Sequence, residues 1–412
     1  MNAVLGIDLG SAVCKAILLD EEGMILGRGV ADTRTDYLTA IEAAIAEAMA
    51  DATLSLMGRR GGLTEEEMER CRLSFRLSDY RRKNGALKTC LMKLAAQRVG
   101  AAGQTLIEAL SDEVSRIVEG EKTARIVAER SGFFRNSLTT LYREACTALF
   151  SGDDFDEDDL MGLLDQAFPM MEKEILPLDP AETIISMLPY EKRYLGEKIK
   201  KTRLEVKAQA ATGYGRQLLP FPKELIRSEI LCHGKGAHYL FPGTRTVLDI
   251  GGQDTKAIQV DEKGVVLSFA MNDRCAAGCG RYLGYVADEL AIPLSGLGSA
   301  ACKACRYTPI VSTCTVFTGI EMRSLLYTGE KKEEVLLGLH RAVVLRALSL
   351  LARAGGVRNE LTFTGGVAGN EAIVRILVEL IARHYGSISI NTHSDSIFMG
   401  AIGAALYALE GL

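Results

Sequence analysis

Short apolar runs separated by polar turns open the chain. VLGIDLG ends in a glycine turn, CKAILLD follows it, and an acidic turn that closes on glycine leads into MILGRGV. Apolar runs of this length between glycine-rich turns are typical of β-strands. The first 30 residues therefore predict three strands joined by tight turns.

From Tyr37 the apolar positions take helical spacing, and alanine and leucine dominate TAIEAAIAEAMADATLSLM. The stretch 55–205 continues in this pattern, with few strand signals and no catalytic motif. Its acidic run from Asp153 to Asp159 is typical of a solvated loop or the start of a helix. We predict a helical insertion of about 150 residues here.

Strand patterns return at RLEVKAQAATGYG. A helical segment, IRSEILCHGKGAHYLF, is followed by the apolar runs TVLDIGG, TKAIQVD and VVLSFAMND, and DEKG between the last two suits a hairpin turn. A strand, a glycine turn and a second strand thus occur twice, at 4–19 and at 246–260. Each time an aspartate stands just before the glycines, so the two segments predict two similar sites.

Composition narrows the function classes. A length of 412 residues is typical of two or three domains. The formal charge of −5 excludes a globally basic nucleic-acid binder. The N-terminus lacks an export signal, and the uncharged stretch from Ser396 to Leu409 is too short to cross a bilayer. We expect a cytoplasmic protein with no nucleic-acid or membrane partner.

The two glycine turns are candidate phosphate loops. GIDLGSAVCK and LDIGGQDTK each place an acid, Asp8 or Asp249, before the glycines and a lysine, Lys15 or Lys256, after them. Glycines let backbone N–H groups converge on phosphate oxygens. A nearby carboxylate can hold Mg²⁺ through its water shell. One such turn is weak evidence, because Asp-Gly turns also close ordinary hairpins.

A third loop, TFTGGVAGNEAIVRIL, places Gly365 and Gly366 between a strand and a helix. This junction suits the approach of a base or ribose, and an ordinary strand-to-helix turn is the alternative interpretation. The sequence contains no GxxxxGK[ST] motif, and GCGRYL lacks the third glycine of a dinucleotide fingerprint. The pattern therefore disfavours P-loop and Rossmann enzymes.

Six of the ten cysteines lie between residues 232 and 314. Such clustering in an intracellular protein indicates metal or redox chemistry, although packing is the alternative for any single cysteine. Cys302 and Cys305 form a C-x-x-C pair. A coincidence in a surface loop, a second metal site and competing cluster ligands all remain open for this pair.

Five longer stretches carry a resemblance to a known family. They are similar to the ATPase subunits of class I benzoyl-CoA reductase and to the related activators of 2-hydroxyacyl-CoA dehydratases, within the acetate and sugar kinase, Hsp70 and actin superfamily. The resemblance covers about 1–50 and 206–412. The stretches are ATGYGRQLLPFPKELIRSEILCHGKGAH, TVLDIGGQDTKAIQVD, MNDRCAAGCGRYLGYVADEL, STCTVFTGIEMR and LTFTGGVAGNEA.

The resemblance implies an α/β fold of the actin, Hsp70 and acetate kinase type, with two domains and a large helical insertion in the first. Residues 1–54 and 206–250 would form the first ATPase subdomain, with 55–205 as the insertion. Residues 251–412 would form the second subdomain, with the cluster cysteines and the nucleoside loop.

The resemblance also implies which residues bind Mg-ATP. Asp8 and Asp249 would orient Mg²⁺ and its waters, and Gln253 would contact a phosphate or the attacking water. The other residues implied to contact the nucleotide are Gly10, Ser11, Ala12, Val13, Cys14, Lys15, Gly251, Gly252, Lys256, Gly365, Gly366 and Asn370.

In the resembling family one [4Fe-4S] cluster lies at a subunit interface, held by two cysteines from each chain. These carry over to Cys275 and Cys314, each ahead of a helical run. Unsatisfied N–H groups and the dipole at a helix N-terminus stabilise a thiolate there. Because such clusters usually take four thiolates, a second chain would supply the other two.

The implied function is ATP-driven electron transfer from ferredoxin to the catalytic subunits of benzoyl-CoA reductase, which dearomatise benzoyl-CoA in anaerobic aromatic degradation. The insertion favours the larger ATPase-type subunit. Its partners would be a smaller homologous ATPase subunit that shares the cluster and two Fe–S subunits that bind the acyl-CoA. The chief alternative is the homodimeric activator of a 2-hydroxyacyl-CoA dehydratase. A plain kinase leaves the cysteines without a role, and a non-enzymatic Fe–S scaffold leaves both glycine turns without one.

Overall fold

The computed structural model divides into two packing units. Unit one comprises Met1–Leu5, Val13–Ala208 and Gln217–Pro220, and unit two comprises Gly6–Ala12, Gln209–Arg216 and Phe221–Leu412. The structure describes residues 1–33, 37–59, 62–98, 100–119, 134–149, 157–175, 179–188, 192–194, 204–218, 221–272, 279–290, 292–310 and 315–412.

The chain begins with a four-stranded sheet in the order β3-β2-β1-β4. Its strands are β1 (Asn2–Leu9), β2 (Val13–Leu19), β3 (Ile25–Asp32) and β4 (Glu205–Thr212). Strands β2 and β3 run antiparallel, from Val13 opposite Asp32 to Leu19 opposite Ile25. The three strands predicted for the first 30 residues are confirmed.

Helix α1 (Tyr37–Arg59) packs on β3 in unit one so closely that the two backbones touch. A Cβ added to Gly27 would overlap the backbone of Ala48, and one added to Gly29 would overlap the backbone of Ala44. Only glycine on the strand leaves room for this approach, and the small alanine side chains of the helix permit it. The small-residue pattern of the sequence therefore sets how closely the helix covers the sheet.

Helices α2 to α5 of unit one form a bundle with its own core, and the shorter α6 follows them in the chain. Among its most buried side chains are Tyr142, Phe168 and Leu91. Partly buried ion pairs join α2 to α1, with Arg72 Nε 2.7 Å from an oxygen of Asp51. The helices are α2 (Glu65–Arg98), α3 (Gly100–Glu119), α4 (Phe134–Leu149), α5 (Glu157–Glu174) and α6 (Pro180–Met187).

Unit two is built on a five-stranded sheet in the order β7-β6-β5-β8-β9. Strand β5 pairs antiparallel with β6 and parallel with β8, and every residue of β5 and β6 is buried. The strands are β5 (Thr246–Ile250), β6 (Thr255–Val260), β7 (Val266–Asn272), β8 (Leu361–Thr364) and β9 (Ile390–Asn391).

The central place of β5 changes the division drawn from the sequence, which put 206–250 with 1–54. Most of 206–250 packs with 251–412, because β5 hydrogen-bonds on both sides to strands from that part of the chain. Residues Gly6–Ala12 join the same unit. There Gly6 lies against Ala401 and Ala405, too close for a side chain.

The helices of unit two are α7 (Glu229–Leu240), α8 (Gly280–Glu289), α9 (Leu297–Cys302), α10 (Thr315–Tyr327), α11 (Lys332–Arg353), α12 (Glu371–Tyr385) and α13 (Met399–Leu409). Among the described helices, α11 alone has the length and apolar composition to cross a membrane. Since 61% of that window is buried inside the protein, α11 packs as a core helix.

Candidate functional site

The two glycine turns identified in the sequence meet in unit two. Asp8 stands near the end of β1 and Asp249 near the end of β5, and both are almost fully buried. A Cβ added to Gly252 of the second turn would lie 3.6 Å from Cβ of Ala12 in the first. The backbones of the two candidate phosphate loops are therefore side by side.

Lys256 is the buried cation of this site. It lies directly across the β5–β6 hairpin from Asp249 and is 2% exposed. Its Nζ is 2.8 Å from Asp254 Oδ1, 3.0 Å from Glu229 Oε1 and 3.4 Å from Asp249 Oδ2. An ammonium group has three N–H donors, so these carboxylates engage all of them. In this structure the lysine implied to contact the nucleotide neutralises protein carboxylates.

His233 of α7 is the second basic group. Its Nδ1 lies 3.3 Å from Asp249 Oδ1, and its Nε2 lies 3.9 Å from Glu229 Oε1. Gly400, at the start of α13, leaves room for both acid and imidazole: a Cβ there would lie 2.8 Å from Asp8 Oδ2 and 3.0 Å from His233 Nε2. The glycine thus brings a helix backbone against the site without filling it.

Electrostatics fix the charge states of the buried groups. Burial alone would raise the pKa of Asp249, but the charges of His233 and Lys256 and the hydrogen bonds from His233 and Thr364 hold it far below its usual range. Burial alone would lower the pKa of Lys256, yet Asp249, Glu229 and Asp254 raise it above its ordinary value. Burial alone would also lower the pKa of His233, but the charge of Asp249 outweighs burial and raises the pKa of the imidazole.

Asp8, Glu229 and His233 place one ligand atom each within 4.8 Å of one another. Within the described part of the chain, this is the one group of three side chains suited to hold a metal ion. Four carboxyl groups face two basic groups here, so a divalent cation would offset the excess of acids. Two of the three ligands offer the oxygen atoms that Mg²⁺ prefers, and the site fits that ion with water in its remaining positions.

The second glycine turn is hydrogen-bonded to the start of α8. The backbone N–H of Gly280 donates to the carbonyl of Gly251 at 2.8 Å, and that of Arg281 donates to the carbonyl of Gly252 at 2.7 Å. The first N–H groups of a helix have no partner within the helix, so the turn satisfies two of them. Movement of this turn would therefore pull directly on α8.

The third loop begins beside the same carboxylate. Thr364, at the end of β8, donates from Oγ1 to Asp249 Oδ1 at 2.9 Å. Gly365 follows with φ of 88° and lies against the backbone of Ile250, so both its conformation and its surroundings require glycine. Gly366 has open space around it. The loop that the sequence assigned to the nucleoside thus starts at the aspartate of the second turn.

Asn370 is held at the end of this loop. Its Oδ1 accepts from the backbone N–H of Ile373 and caps α12, and its Nδ2 lies 3.1 Å from Nε2 of the buried His340. His340 Nδ1 donates to the carbonyl of Leu336 at 2.7 Å, which leaves Nε2 as the acceptor. The side chain of Asn370 therefore fixes the loop from within the protein.

The other predicted residues are only partly brought together. Gly10, Ser11 and Ala12 belong to unit two, and Val13, Cys14 and Lys15 begin β2 in unit one. Gln253 is half-buried in the second turn. Cys275 and Cys314 lie outside the described residues. The described helices α8 and α10 begin at Gly280 and Thr315, shortly after these cysteines.

Sequence reasoning missed four groups of the site: Glu229, His233, Asp254 and Thr364. Glu229 and His233 stand four residues apart, which puts both on one face of α7. That spacing was visible in SEILCHGKGAH. Nothing in the sequence indicated that this helix face covers the glycine turns.

Comparison with known sequences gives three informative relatives. The 2-hydroxyisocaproyl-CoA dehydratase activator of Clostridioides difficile is 40% identical over 208 residues, 50% of this chain and 76% of the relative. The (R)-2-hydroxyglutaryl-CoA dehydratase activating ATPase of Acidaminococcus fermentans is 41% identical over 200 residues, 48% of this chain and 74% of the relative. One of the subunits of benzoyl-CoA reductase from Thauera aromatica is 34% identical over 175 residues, 42% of this chain and 62% of the relative.

Solved structures give the fold. The chain resembles component A of the (R)-2-hydroxyglutaryl-CoA dehydratase from Acidaminococcus fermentans, with a TM-score of 0.58, 23% identity and coverage of 100% of this chain and 99% of the other. The activator of the 2-hydroxyisocaproyl-CoA dehydratase from Clostridium difficile, with bound ADPNP, gives a TM-score of 0.54, 24% identity and coverage of 99% and 95%. The predicted actin-like α/β ATPase fold is confirmed. The family model for the BadF/BadG/BcrA/BcrD ATPases matches residues 5–408, and the chain belongs to that family.

Proposed function

We propose that the chain is a cytoplasmic, ATP-hydrolysing electron donor that carries half of a shared [4Fe-4S] cluster and activates an acyl-CoA enzyme. The observation that carries this proposal is the pair of hydrogen bonds from Gly280 and Arg281 to the second glycine turn. They link a candidate phosphate loop to the helix that follows Cys275. A nucleotide-dependent change in the turn thereby reaches the cluster-bearing segment.

The nucleotide part of the proposal depends on the adjacent glycine turns and the acids beside them. Asp8 and Glu229 would hold Mg²⁺ with its waters, and Asp249 would stay ionised because its surroundings lower its pKa. Phosphoryl transfer needs mainly positioning and charge stabilisation, and fixed backbone donors with a bound cation supply both. Gly365 and Gly366 would face the nucleoside.

The redox part depends on Cys275 and Cys314. Cys314 directly precedes α10, where N–H groups and the helix dipole favour thiolate over thiol, and Cys275 stands five residues before α8. A cluster bound there would accept one electron from ferredoxin and pass it on. The role of this chain is to supply two thiolates and to set their distance and exposure, which tune the potential of such clusters.

The enzyme that receives the electron is best proposed from sequence similarity. The two dehydratase activators are 40% and 41% identical to this chain, and the reductase subunit is 34% identical over a shorter stretch. We therefore favour a 2-hydroxyacyl-CoA dehydratase as the partner enzyme, ahead of the benzoyl-CoA reductase expected from the sequence. The large helical insertion favours the second candidate, because a helical bundle with its own core offers a surface for choosing a smaller ATPase-type partner.

The ATPase proposal is tested by Asp8→Asn and Asp249→Asn. Each should lower ATP hydrolysis by at least about 100-fold, since each removes a positioned charge from phosphoryl transfer. Asp288→Asn is a matched control, because Asp288 is exposed on α8 of the same unit and should leave the rate unchanged. Normal hydrolysis in both site variants would contradict the assignment.

The cluster proposal is tested separately by iron content. Cys275→Ser and Cys314→Ser, purified without oxygen, should lose bound iron and the charge-transfer absorption. Cys146→Ser, in the core of the insertion, should keep both. Full iron content in Cys275→Ser would exclude that ligand assignment.

The partner is identified by assembly and by activity. A homodimer that holds one cluster and activates a 2-hydroxyacyl-CoA dehydratase would establish the first candidate. A chain that holds a cluster only when co-expressed with a smaller homologous ATPase subunit, and that then supports benzoyl-CoA reduction by two further Fe–S subunits, would establish the second.

A further inference from the structure

The C-x-x-C pair of Cys302 and Cys305 lies apart from the charged cluster of the candidate site. Cys302 is the last residue of α9 and is half-buried against the core of unit two. Cys305 is exposed, and both thiols are free. Only Lys303 and Ala304 separate them, and Lys303 keeps helical backbone angles. The two thiols therefore stand at the ends of one short segment, with Cys305 exposed to solvent and Cys302 packed against the protein.

Both ends of this segment are anchored. On the α9 side, the carbonyl of Cys302 accepts from Arg375 Nη1 of α12 at 3.4 Å. On the other side, Arg306 Nε lies 3.0 Å from Glu334 Oε2, and the backbone N–H of Thr308 donates to the carbonyl of Glu334 at 3.0 Å. A disulfide needs Cα atoms about 4.4–6.8 Å apart. Only two residues separate the cysteines, and Lys303 already has helical backbone angles, so a change at Ala304 is enough to close a turn that brings the two sulfurs together.

A closed metal site is the main alternative for two cysteines at this spacing. Such a site needs four protein ligands, usually cysteine or histidine. In the described ranges, the group of three possible ligands is Asp8, Glu229 and His233, so no third and fourth ligand join this pair. Chemistry between the two sulfurs is therefore favoured over a zinc site.

We propose that Cys302 and Cys305 form a reversible disulfide by exchange with a low-molecular-weight disulfide such as glutathione disulfide. The exposed Cys305 attacks first, as the thiolate, and releases one glutathione thiol. Cys302 then loses its proton, attacks the sulfur of Cys305 and releases the second. The two cysteines lose two protons and two electrons in all, and the oxidant becomes two thiols.

The geometry also assigns the order of attack. Burial raises the pKa of the Cys302 thiol, Glu371 adds to that effect, and only Arg375 opposes it. Cys302 also stands at the C-terminal end of α9, where the helix dipole disfavours an anion. Cys305 is the more accessible nucleophile, and Cys302 resolves the mixed disulfide.

Oxidation should reach the third loop. Gly298 stands one helical turn before Cys302 and shares its face of α9. A Cβ on Gly298 would lie 2.8 Å from Oδ1 of Asn370, the residue that caps α12. The Cys302 thiol lies close to Glu371, the first residue of α12, and would move away from it to bond Cys305. The disulfide would thus loosen the packing of α9 on the start of α12.

Trypsin makes the modification directly measurable. Lys303 lies between the two cysteines and Arg306 follows Cys305, so cleavage separates the peptide 282–303 from the peptide 304–306. A disulfide keeps the two peptides joined. The cluster-loaded protein is treated with glutathione disulfide without oxygen, alkylated and digested, and the joined pair is sought by mass spectrometry before and after dithiothreitol.

The joined pair should form in the native chain, separate with dithiothreitol and be absent from Cys302→Ser and Cys305→Ser. Glutathione should remain attached to Cys305 in Cys302→Ser and should be scarce on Cys302 in Cys305→Ser. Alkylation of both cysteines shows that they stayed reduced. This result would overturn the proposal if the same ratio of glutathione disulfide to glutathione oxidises a reference C-x-x-C protein. One zinc per chain that is lost in both variants would also overturn it.

The link to the loop rests on the proposed function and has its own measurement. Binding of a non-hydrolysable ATP analogue should weaken about tenfold when the disulfide forms, and should not change in treated Cys305→Ser. Unchanged binding in the oxidised native chain would refute the link to the loop. A reduced native chain that binds no ATP would refute the proposed function, and the peptide test would still decide the disulfide.

Discussion

Replacing Lys256 by methionine tests whether its charge holds the site together. The ammonium is 2% exposed and contacts three carboxylates, of which Asp249 is equally buried. Breaking a buried ion pair by removing one partner costs about 3–5 kcal/mol. Glu229 and Asp254 are 16% and 17% exposed, so water screens their attraction to the ammonium, and we count no further loss of stability for these two pairs. We expect Lys256→Met to lower the free energy of unfolding by about 3–5 kcal/mol at pH 7.

The loss should depend on pH. A carboxyl group whose pKa is lower in the folded than in the unfolded chain stabilises the fold at pH values above its pKa in the unfolded chain, about 4. That stability is lost as the pH falls from there through the pKa of the folded chain. Without Lys256, one of the charges that lower the pKa of Asp249 is gone, so this contribution shrinks. The gap between the native chain and the variant should therefore keep its full size from neutrality down to about pH 4 and should narrow as the pH falls further.

Urea unfolding followed by circular dichroism at several pH values measures this gap. Lys235→Met is the matched control, because that lysine, on α7 of the same unit, pairs with an exposed Glu410 and should cost under about 1 kcal/mol. Adding Asp249→Asn to Lys256→Met should restore at least about 1 kcal/mol, since it removes the unpaired charge. Equal losses in the two lysine variants would refute the reasoning.

Two further predictions concern packing and protonation. Gly29→Ala should lower the free energy of unfolding by about 1–3 kcal/mol, because its Cβ would overlap the backbone of Ala44. Gly85→Ala, with open space inside α2, should raise it by about 0.5–1 kcal/mol. Thermal melts would distinguish the two variants, and equal shifts would contradict the close packing of α1 on β3. Burial lowers the pKa of His340 to about 4, so the unfolded chain binds a proton below about pH 6.5 that the folded chain does not. Between pH 7 and pH 5, urea titrations should show the native chain losing about 2 kcal/mol more than His340→Gln, and parallel losses would contradict a buried neutral imidazole.

Local patterns predicted the elements of the site well. The hairpins around Asp8 and Asp249 follow from short apolar runs and glycine turns, because these patterns depend only on residues that are neighbours in the sequence. The glycines after β8 were recognisable for the same reason. The sequence placed one turn in each half of the chain, whereas in the structure both belong to unit two, where Gly252 approaches Ala12.

Contacts between elements far apart in the chain could not be predicted from the sequence. A lysine seven residues after Asp249 could face a phosphate or a protein carboxylate, and only the hairpin register together with Glu229 from α7 decides for the carboxylates. The boundary at residue 250 differed from the packing for a related reason. Strand β5 has partners on both sides, and one of them, β8, lies more than 100 residues further along the chain.

The contact of Gly6 with Ala401 has a consequence for synthesis of the protein. The two residues are roughly 400 positions apart, and a ribosome adds about 5–20 residues per second, so about 20–80 s pass between their synthesis. Throughout that interval the strand that carries Asp8 lacks the helix that covers it. Unit two can therefore complete its packing only after α13 has emerged, and a nascent chain depends on protection from aggregation until then.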